Sequence, residues 1–260
     1  MSKTYESKSS GRLCNQIIRN LSLSILAKKY DLYVEYSNYD NINNKLGIEL
    51  FVGNKKFKRT QKVTSSNYMN YYTNDMKVDY NLNFMCDFFQ TEEITTILHA
   101  HLKENMKTII DKNPYKERYQ NNNDVFIHIR LGDAELWNVG IDFYISCINN
   151  LNYNNIYIGT EKYDNELIQK LKSLYPSIIF FEEDAVKTIQ YGSTCKNIIL
   201  SHGSYSAMIG YLSFFSNVYF LNEKPEWCPL TPFLYKGFIP VILDNNQDSE
   251  EIQKRYIIHP

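Results

Sequence analysis

The second half of the chain alternates short apolar segments with amphipathic ones, and this alternation constrains the fold more than any other feature. Five apolar runs have the length of buried strands, at residues 125–129, 156–159, 178–181, 198–200 and 218–221. Helical patterns occur between them, at residues 143–151, 166–174 and 206–215. Strands that alternate with helices form parallel sheets. We therefore predict a doubly wound α/β domain, in which ligands bind beyond the carboxyl ends of the strands.

The first half of the chain has weaker patterns. Apolar spacing predicts a helix that begins after Gly11 and a long helix that begins at about Thr91 and ends before Pro114. The segment before Gly11 is too polar to be a convincing first strand. Two segments have strand patterns, at residues 32–36 and 48–52. The polar region at residues 53–90, which is rich in Tyr and Asn, supports no assignment.

The segment at 115–124 has the composition of a surface linker, and we place a domain boundary there. We predict an N-terminal domain of residues 1–120 and a C-terminal domain of residues 121–260, with the last residues free to pack back on the first domain. A length of 260 residues, of which 43% are hydrophobic, is sufficient for one large α/β domain or two small ones.

Charge, hydropathy and cysteine usage exclude several classes of protein. The chain has 28 basic and 29 acidic residues, and no stretch of Lys and Arg is dense enough for a long polyanion. We therefore expect no nucleic-acid partner. No signal-peptide segment and no run of 18 apolar residues occurs, so we expect no transmembrane segment. The five cysteines are odd in number and widely spaced, which favours reduced thiols and a cytoplasmic protein.

The first strand of the C-terminal domain ends in the sequence HIRLGD, at residues 128–133. Strand alternation places the side chains of His128 and Arg130 on one face. The planar guanidinium of Arg130 can bind two phosphate oxygens at once, and it stays charged as a leaving group develops negative charge. An ion pair between Arg130 and Asp133 that merely completes the strand end is an equally good interpretation of these residues alone.

Two later strands of the same domain also end in polar residues. The second strand leads to Glu161, whose carboxylate can accept the N1 and amino hydrogens of a guanine, although a glutamate here is more often only the first residue of a helix. The fourth strand leads to SHGSYS, at residues 201–206, and then to a helix. Small residues with hydroxyls at a helix N-terminus form an anion site. Ser204 or Ser206 can equally well cap the helix, and capping is compatible with phosphate binding.

Together with GRLCNQ at residues 11–16, which also opens a helix, these segments resemble the GDP-fucose-dependent alpha-1,2-fucosyltransferases of bacteria and some viruses. GRLCNQ is similar to the GGLGNQ-like segment of that family, and HIRLGD is similar to its HxRRGD motif. Residues 160–161 correspond to its acidic segment after a Tyr-containing strand. Residues 195–198 and 204–206 correspond to its CKxxIxxNSTFSWW stretch. The corresponding points run in the same order, from residue 11 to about residue 220.

The resemblance implies a GT-B-like α/β fold of two Rossmann-like domains with a donor cleft between them. It implies an inverting glycosyltransferase that moves a 6-deoxyhexose from a GDP-sugar, with GDP-fucose the first choice, to a hydroxyl of a glycan acceptor. It also implies transfer without a cofactor or metal ion. The sequence is consistent with transfer without a metal ion, because no two Asp residues are spaced as in a DxD motif.

The resemblance also assigns roles to individual residues. It implies that Arg130 binds the diphosphate and is the catalytic residue, that His128 lines the nucleotide pocket, and that Glu161 contacts the guanine. It implies that Asn15 faces the donor from the N-terminal domain. The phosphate side of the site is then completed by three residues of the later turn, Ser204, Tyr205 and Ser206.

The chain departs from the family pattern at four points. The second Arg of HxRRGD is Leu131, the Gly before the Asn is Cys14, the second acidic residue after the strand is Lys162, and the Trp pair is replaced by residues 207–208. These departures leave three alternatives open: a transferase for another nucleotide-sugar, a nucleotide-binding domain without transferase activity, and an interaction domain that is not an enzyme. No residue stands out as the general base.

Overall fold

A computed structural model gives the structure of residues 4–6, 11–84, 87–223, 228–234 and 237–243. The chain divides into two compact units, Met1–Pro114 and Tyr115–Pro260. Cys86 lies outside the described residues, and so do the last residues, 244–260, which we expected to be free to pack back on the first domain. Within the described part, no helix is both long enough and apolar enough to cross a membrane.

The first unit contains a small parallel sheet with helices. Its strands pair in the order β2-β1-β4-β3, and each pair is parallel. The elements are β1 (Thr4–Glu6), α1 (Leu13–Tyr30), β2 (Val34–Glu35), a π-helical turn (Asp40–Lys45), β3 (Thr60–Val63), α2 (Ser65–Thr73), β4 (Asn81–Phe84), α3 (Glu92–Glu104) and α4 (Met106–Lys112).

The structure corrects the expectation that no strand precedes Gly11. Strand β1 lies inside the sheet, between β2 and β4. Thr4 is fully buried, and its hydroxyl accepts a hydrogen bond of 3.1 Å from the Leu82 amide. Main-chain pairing on both sides determines this strand, so its polar sequence does not prevent it from forming.

The predicted strand at 48–52 is also wrong. Ile48 and Leu50 are buried, but two amides of this segment are bound by side chains instead of a neighbouring strand. The amide of Leu50 donates to the Asn43 side chain and that of Phe51 donates to the Ser24 hydroxyl, at 3.2 and 2.8 Å. The apolar pattern of this segment therefore reflects burial and not sheet pairing. Composition alone does not distinguish the two, because buried loops and buried strands are both apolar.

Two further predictions for the first unit need refinement. The helix after Gly11 is confirmed as α1, and Thr91 is confirmed as the N-cap of α3, where its hydroxyl accepts from the Ile94 amide. The long helix, however, is broken at Asn105, which has φ −95° and ψ 10° and separates α3 from α4. The Asn105 side chain donates to the carbonyl of His101 at 2.7 Å and so competes with continued helical bonding.

The second unit is a doubly wound sheet of six parallel strands, as the alternating pattern predicted. The strand order is β10-β9-β8-β5-β6-β7. The elements are β5 (Val125–Ile129), α5 (Ile141–Asn149), β6 (Ile156–Thr160), α6 (Glu166–Leu174), β7 (Ile179–Phe180), α7 (Ala185–Gly192), β8 (Asn197–Leu200), α8 (Ser204–Tyr211), β9 (Asn217–Leu221) and β10 (Phe238–Val241). Helix α7 and strand β10 were not predicted.

The strand order determines where a ligand can bind. From β5 the chain builds β6 and β7 on one side, and it then returns to build β8, β9 and β10 on the other side. This is the order of a dinucleotide-binding Rossmann sheet, and its crevice lies where the direction reverses. Here the reversal lies between β5 and β8, where His128 is the register partner of Leu200. The residues that follow these two strands therefore form the rim of the crevice.

Candidate functional site

Arg130 follows β5 directly at the carboxyl edge of the sheet. Its side chain is 18% exposed, and its Nη2 donates to the Asp133 carboxylate at 3.0 Å. Its main chain is held on both sides, because its amide donates to the Ser201 hydroxyl at 3.0 Å and its carbonyl accepts from the Asn138 side chain at 3.1 Å. The backbone of Arg130 is thus fixed, while its guanidinium remains accessible at the crevice.

His128 is buried below Arg130 in a network of hydroxyl groups. Its Nδ1 lies 2.5 Å from the Ser206 Oγ and 3.3 Å from the Ser201 Oγ, and these two hydroxyl oxygens are 3.0 Å apart. The Tyr205 ring covers the imidazole, with the ring centroids 4.8 Å apart. Burial, together with the charge of Arg130, lowers the pKa of His128 to about 3, so the imidazole is neutral at physiological pH.

The N-terminus of α8 opens at the same edge. Its N-cap is Gly203, with φ +104°, a conformation that glycine adopts without strain, and this residue has no side chain to cap the first turn. Ser204 and Tyr205 are half-buried in this turn, and the Tyr205 hydroxyl donates to the Ala185 carbonyl at 2.7 Å. The amides at the start of a helix and its dipole attract anions. The structure therefore presents an anion-binding helix end next to the strand that carries Arg130.

Ser206 has a different position from Ser204. It is fully buried, and its hydroxyl is engaged with His128 and Ser201. In this arrangement Ser206 supports the imidazole from below and does not present its hydroxyl to the crevice.

Cys228 also lies beside Arg130. The pKa of its thiol is raised to about 11, because burial outweighs the charge of Arg130 and a hydrogen bond with the Gly203 backbone, which both lower it. The thiol is therefore protonated at physiological pH, and it lies close to both the cation and the N-cap of α8. In the sequence this cysteine was only one of five dispersed thiols, because its neighbours in space are distant in the chain.

Glu161 lies at the same edge of the sheet, where it contacts Gly132. Ile129 is the register partner of Thr160, so Glu161 follows β6 where Arg130 follows β5. A β-carbon on Gly132, which has φ +35°, would collide with the carboxylate of Glu161. The Glu161 side chain is exposed and packs on the bare backbone of the turn that follows Arg130. The two motifs, separated in sequence, are therefore adjacent in the fold.

An open cavity of about 740 Å³ lies beyond this pair of turns. On one side it is lined by the 3₁₀ turns Gly132–Trp137, and on the other by the N-terminal turn of α6. Lys162 donates to Glu135 at 2.5 Å across this opening, and the Asn165 side chain donates to the same carboxylate at 2.5 Å. The cavity is large enough for a small ligand bound at the edge of the sheet.

Asn15 lies in the first unit and is described there alone. It occupies the first turn of α1, is half-buried, and accepts a hydrogen bond of 3.2 Å from the Gln90 side chain. Its side chain packs directly on Gly11, where φ is +93° and a β-carbon would collide with it. The glycine and the asparagine of GRLCNQ thus form one packed unit at the start of the helix.

Asp87 follows β4 in the first unit, at the carboxyl edge of the small sheet. Burial raises the pKa of Asp87, but hydrogen bonds from the Ser65 hydroxyl and amide and from backbone amides outweigh burial, and the pKa is lowered. Its carboxylate holds the start of α2 and is already satisfied, which argues against a role as a base.

The sequence analysis missed Ser201 and Cys228. Ser201 lies in the segment that was assigned to the anion turn, but its hydroxyl contacts residues more than 70 positions earlier in the chain. Only the pairing of β5 with β8 brings these groups together. A serine directly after a strand that is predicted to lie beside the arginine strand was the available signal, but the strand order was not known from sequence.

No protein-family model matches the chain, and no curated protein is similar to it in sequence. Solved structures do match. Fucosyltransferase NodZ from Bradyrhizobium, solved as the selenomethionine protein, matches with a TM-score of 0.52 at 11% identity, over 84% of this chain and 94% of that chain. NodZ alpha-1,6-fucosyltransferase co-crystallized with GDP has a TM-score of 0.49 at 11% identity, over 94% and 96%. POFUT1 in complex with GDP has a TM-score of 0.45 at 9% identity, over 85% and 99%.

The first of these similarities establishes the fold. At 11% identity it shows a shared architecture and does not by itself transfer a substrate. With the parallel Rossmann-ordered sheet of the second unit and the parallel sheet of the first, it confirms the prediction of a GT-B-like α/β fold.

Proposed function

We propose that this chain is an inverting glycosyltransferase that moves a 6-deoxyhexose from a GDP-sugar, with GDP-fucose the first choice, to a hydroxyl of a glycan acceptor. One observation carries the proposal: Arg130 and the N-terminus of α8, whose N-cap residue is a glycine without a capping side chain, adjoin the reversal point of a Rossmann-ordered sheet. A cation and a helix end at this point are the groups that a nucleoside diphosphate requires. The sequence motifs, and the fold shared with a fucosyltransferase, support the choice of donor.

In the proposed mechanism, an acceptor hydroxyl displaces the nucleoside diphosphate at the anomeric carbon of the sugar. The departing phosphate oxygens gain negative charge as the bond breaks. The guanidinium of Arg130 and the amides of Ser204 and Tyr205 would stabilise this charge without moving, because the strand and helix ends already hold them. We propose that these groups take the place of a metal ion, in agreement with the absence of a DxD motif from the sequence.

We assign guanine recognition to Glu161, whose exposed carboxylate packs on the turn after Arg130. We assign Asn15 to the donor side of the first unit, next to Gly11. Both assignments follow the resemblance of the motifs, and the packing of each residue against a motif glycine supports them.

A nucleotide-binding protein without transfer activity is the second candidate, and Leu131 favours it. Leu131 occupies the position of the second Arg of the HxRRGD motif, and it is 1% exposed and packed in the hydrophobic core of the sheet. This position therefore contributes no charge to the crevice, and Arg130 is the one cation of HIRLGD. A site with less positive charge can retain nucleotide binding and lose catalytic rate.

We place the protein in the cytoplasm. Cys14, Cys147, Cys195 and Cys228, the cysteines in the described part of the chain, are all free thiols. Free thiols are the usual state in a reducing compartment.

The test is a comparison of GDP, UDP, CDP and TDP as stabilising ligands, with and without a chelator, followed by an assay with GDP-fucose. We expect GDP to raise the melting temperature most, with no effect of the chelator, and to add about 2.7 kcal/mol at a hundredfold excess over its dissociation constant. Transfer or hydrolysis of GDP-fucose supports the transferase. Binding of GDP without turnover of GDP-fucose or GDP-mannose supports the second candidate, and equal stabilisation by UDP contradicts the assignment of a GDP-sugar donor.

A further inference from the structure

Ser201 joins the two strand ends that border the crevice. It is the first residue after β8 and is 1% exposed. Its amide donates to the carbonyl of His128 at 3.1 Å, which any residue at this position could do. Its hydroxyl accepts from the amide of Arg130 at 3.0 Å, which requires the side chain. Arg130 lies beyond the last register pair of β5 with β8, so a side chain replaces the ladder bond there.

The same hydroxyl belongs to a group of three mutually bonded atoms, and it is also hydrogen-bonded to the Tyr144 hydroxyl. The Ser201 Oγ, the Ser206 Oγ and the His128 Nδ1 lie 3.0, 2.5 and 3.3 Å from one another. These three residues and Tyr144 are buried, so water does not supply alternative partners freely. The protons of the group must therefore be placed among these atoms.

Counting the protons selects one arrangement among the described contacts. The amide of Arg130 can only donate, so the Ser201 Oγ is an acceptor there. If Nδ1 carries no proton, Tyr144 donates to Ser201, Ser201 donates to Ser206, Ser206 donates to Nδ1, and every proton has an acceptor. If Nδ1 carries a proton, it donates to Ser206 and Ser206 donates to Ser201. Ser201 then donates to the Tyr144 hydroxyl, which also accepts from Asn138, and the proton of Tyr144 has no acceptor among the described contacts.

We infer that Ser201, acting through Ser206, holds His128 in the tautomer with its proton on Nε2, and that the same hydroxyl fixes the main chain of Arg130. Ser201 is thus a positioning residue for both side chains of the HIRLGD motif. The imidazole is neutral and carries one proton, so its Nε2 is a hydrogen-bond donor and not an acceptor.

The consequence for catalysis rests on the proposed function. A donor at Nε2 can bind an oxygen of the GDP-sugar, next to the cation of Arg130. It cannot accept the proton of the attacking hydroxyl, because Nδ1 is occupied and Nε2 already carries a proton. His128 is therefore excluded as the general base, and the base must come from another residue or from the acceptor-binding side.

The first experiment reads the tautomer directly in the free protein. Long-range ¹H–¹⁵N correlation spectra of protein labelled at histidine distinguish the two neutral tautomers, and loss of a signal in His128→Gln assigns the resonance. We expect the Nε2–H pattern in the wild type and a displaced Nδ1 resonance in both Ser206→Ala and Ser201→Ala. A wild-type pattern with the proton on Nδ1, or spectra that neither variant changes, would overturn the inference.

The second experiment separates the two roles of Ser201. Ser206→Ala removes the donor to Nδ1 but retains the bond to the Arg130 amide, whereas Ser201→Ala removes both. We expect faster exchange of the Arg130 amide in Ser201→Ala alone. Ser213→Ala is the matched control, because Ser213 is a buried serine of the same unit whose hydroxyl donates to the Ile209 carbonyl. Equal Arg130 exchange in Ser201→Ala and the control contradicts the role in fixing Arg130.

The third measurement is turnover of GDP-fucose. We expect kcat to fall about five- to tenfold in Ser201→Ala with a smaller change in KM, and to be nearly unchanged in Ser213→Ala. An equal loss in both variants would indicate a merely structural effect and overturn the catalytic consequence. Because the tautomer and the amide exchange are read without donor, a failure of the proposed function is distinguishable from a failure of this inference. If Ser201→Ala does not fold, the tautomer in Ser206→Ala decides.

Discussion

Lys162 and Glu135 form an ion pair that joins the turn after β6 to the turn after β5. Lys162 occupies the position where the sequence pattern of the resembled family has a second acidic residue. The structure supplies a carboxylate at the same cavity from Glu135, which lies 27 positions earlier in the chain. The hydrogen bond and charge of Lys162 lower the pKa of Glu135, and those of Glu135 raise the pKa of Lys162. The replacement of an acidic residue by Lys162 is therefore compensated by the nearby carboxylate of Glu135.

From this ion pair we predict that loss of Lys162 loosens only the turns around the cavity and that salt has the same effect. Both side chains are substantially exposed, so Lys162→Met should leave global stability nearly unchanged. It should increase hydrogen exchange in the turns at 132–137 and 162–165, because the link between them is lost. High salt should produce the same change in the wild type. Lys170→Met, on the outer surface of α6, is the control. Unchanged exchange in Lys162→Met would contradict the proposed link.

Gly132→Ala tests whether the contact of Gly132 with Glu161 is required for nucleotide binding. A β-carbon at Gly132 would displace the Glu161 carboxylate. Gly140→Ala is a matched control, because Gly140 also has a positive φ, of 82°, but no atom lies within 4 Å of its added β-carbon. We expect both variants to lose about 1 kcal/mol of stability from backbone strain. Only Gly132→Ala should weaken GDP binding, measured by calorimetry. Equal affinities of the two variants would remove Glu161 from the site.

Arg130→Ala tests the catalytic assignment. If Arg130 binds the leaving phosphate, its interaction strengthens as charge develops, and turnover should fall about a hundred- to a thousandfold, more than affinity. Arg130→Lys keeps the charge but loses the planar fork, so it should restore only part of the rate. The fold should persist, since the guanidinium bonds to the exposed Asp133. A folded Arg130→Ala protein with normal turnover of GDP-fucose would refute the mechanism.

Arg118 provides the contrast to Arg130. It pairs at 2.7 Å with Asp124, which is buried beside the amino end of β5, at the edge of the sheet opposite the crevice. Arg118→Ala should lower the free energy of unfolding by about 3 kcal/mol, because it leaves a buried carboxylate without its counter-charge. Circular dichroism and urea unfolding of both variants distinguish the structural arginine from the functional one.

Ser204→Ala and Ser206→Ala should differ, although the sequence suggests equivalent roles. Ser204 is half-buried in the first turn of α8, so its loss should weaken GDP binding by about 1 kcal/mol with little effect on stability. Ser206 is fully buried against His128, so its loss should lower stability by about 2 kcal/mol. Calorimetry and urea unfolding on the same preparations decide. A reversed pattern would mean that α8 is placed differently in the nucleotide complex.

The buried His128 predicts a dependence of stability on pH. Its pKa is lowered to about 3 in the folded protein, against 6.5 in the unfolded chain. Above pH 6.5 neither state binds the proton. Between pH 6.5 and 3 only the unfolded state binds the proton. This residue therefore lowers the free energy of unfolding by about 1.4 kcal/mol for each unit by which the pH is decreased. His128→Gln should have a shallower slope between pH 6 and 4.5 in urea unfolding. Parallel curves for the two proteins would show that His128 does not titrate in this way.

The sequence by itself determined the local elements of the second unit. Five strands and three helices follow from apolar periodicity, because each element buries one face or both faces against the same core. The sequence also placed His128, Arg130, Glu161 and Ser204 at strand and helix ends, since such turns require small and polar residues. In the first unit this local signal was insufficient, as β1 shows. There the pairing on both sides, and not the residue types, determines the strand.

Only the tertiary structure decided which of these ends meet. The sequence does not specify that β8 returns to lie beside β5, and this return brings Ser201 and Ser206 to His128 and Arg130. It also separates Ser204, at the crevice, from Ser206, in the core. The physical reason is that strand order depends on contacts between residues more than 70 positions apart, and no local pattern of hydrophobicity records such contacts.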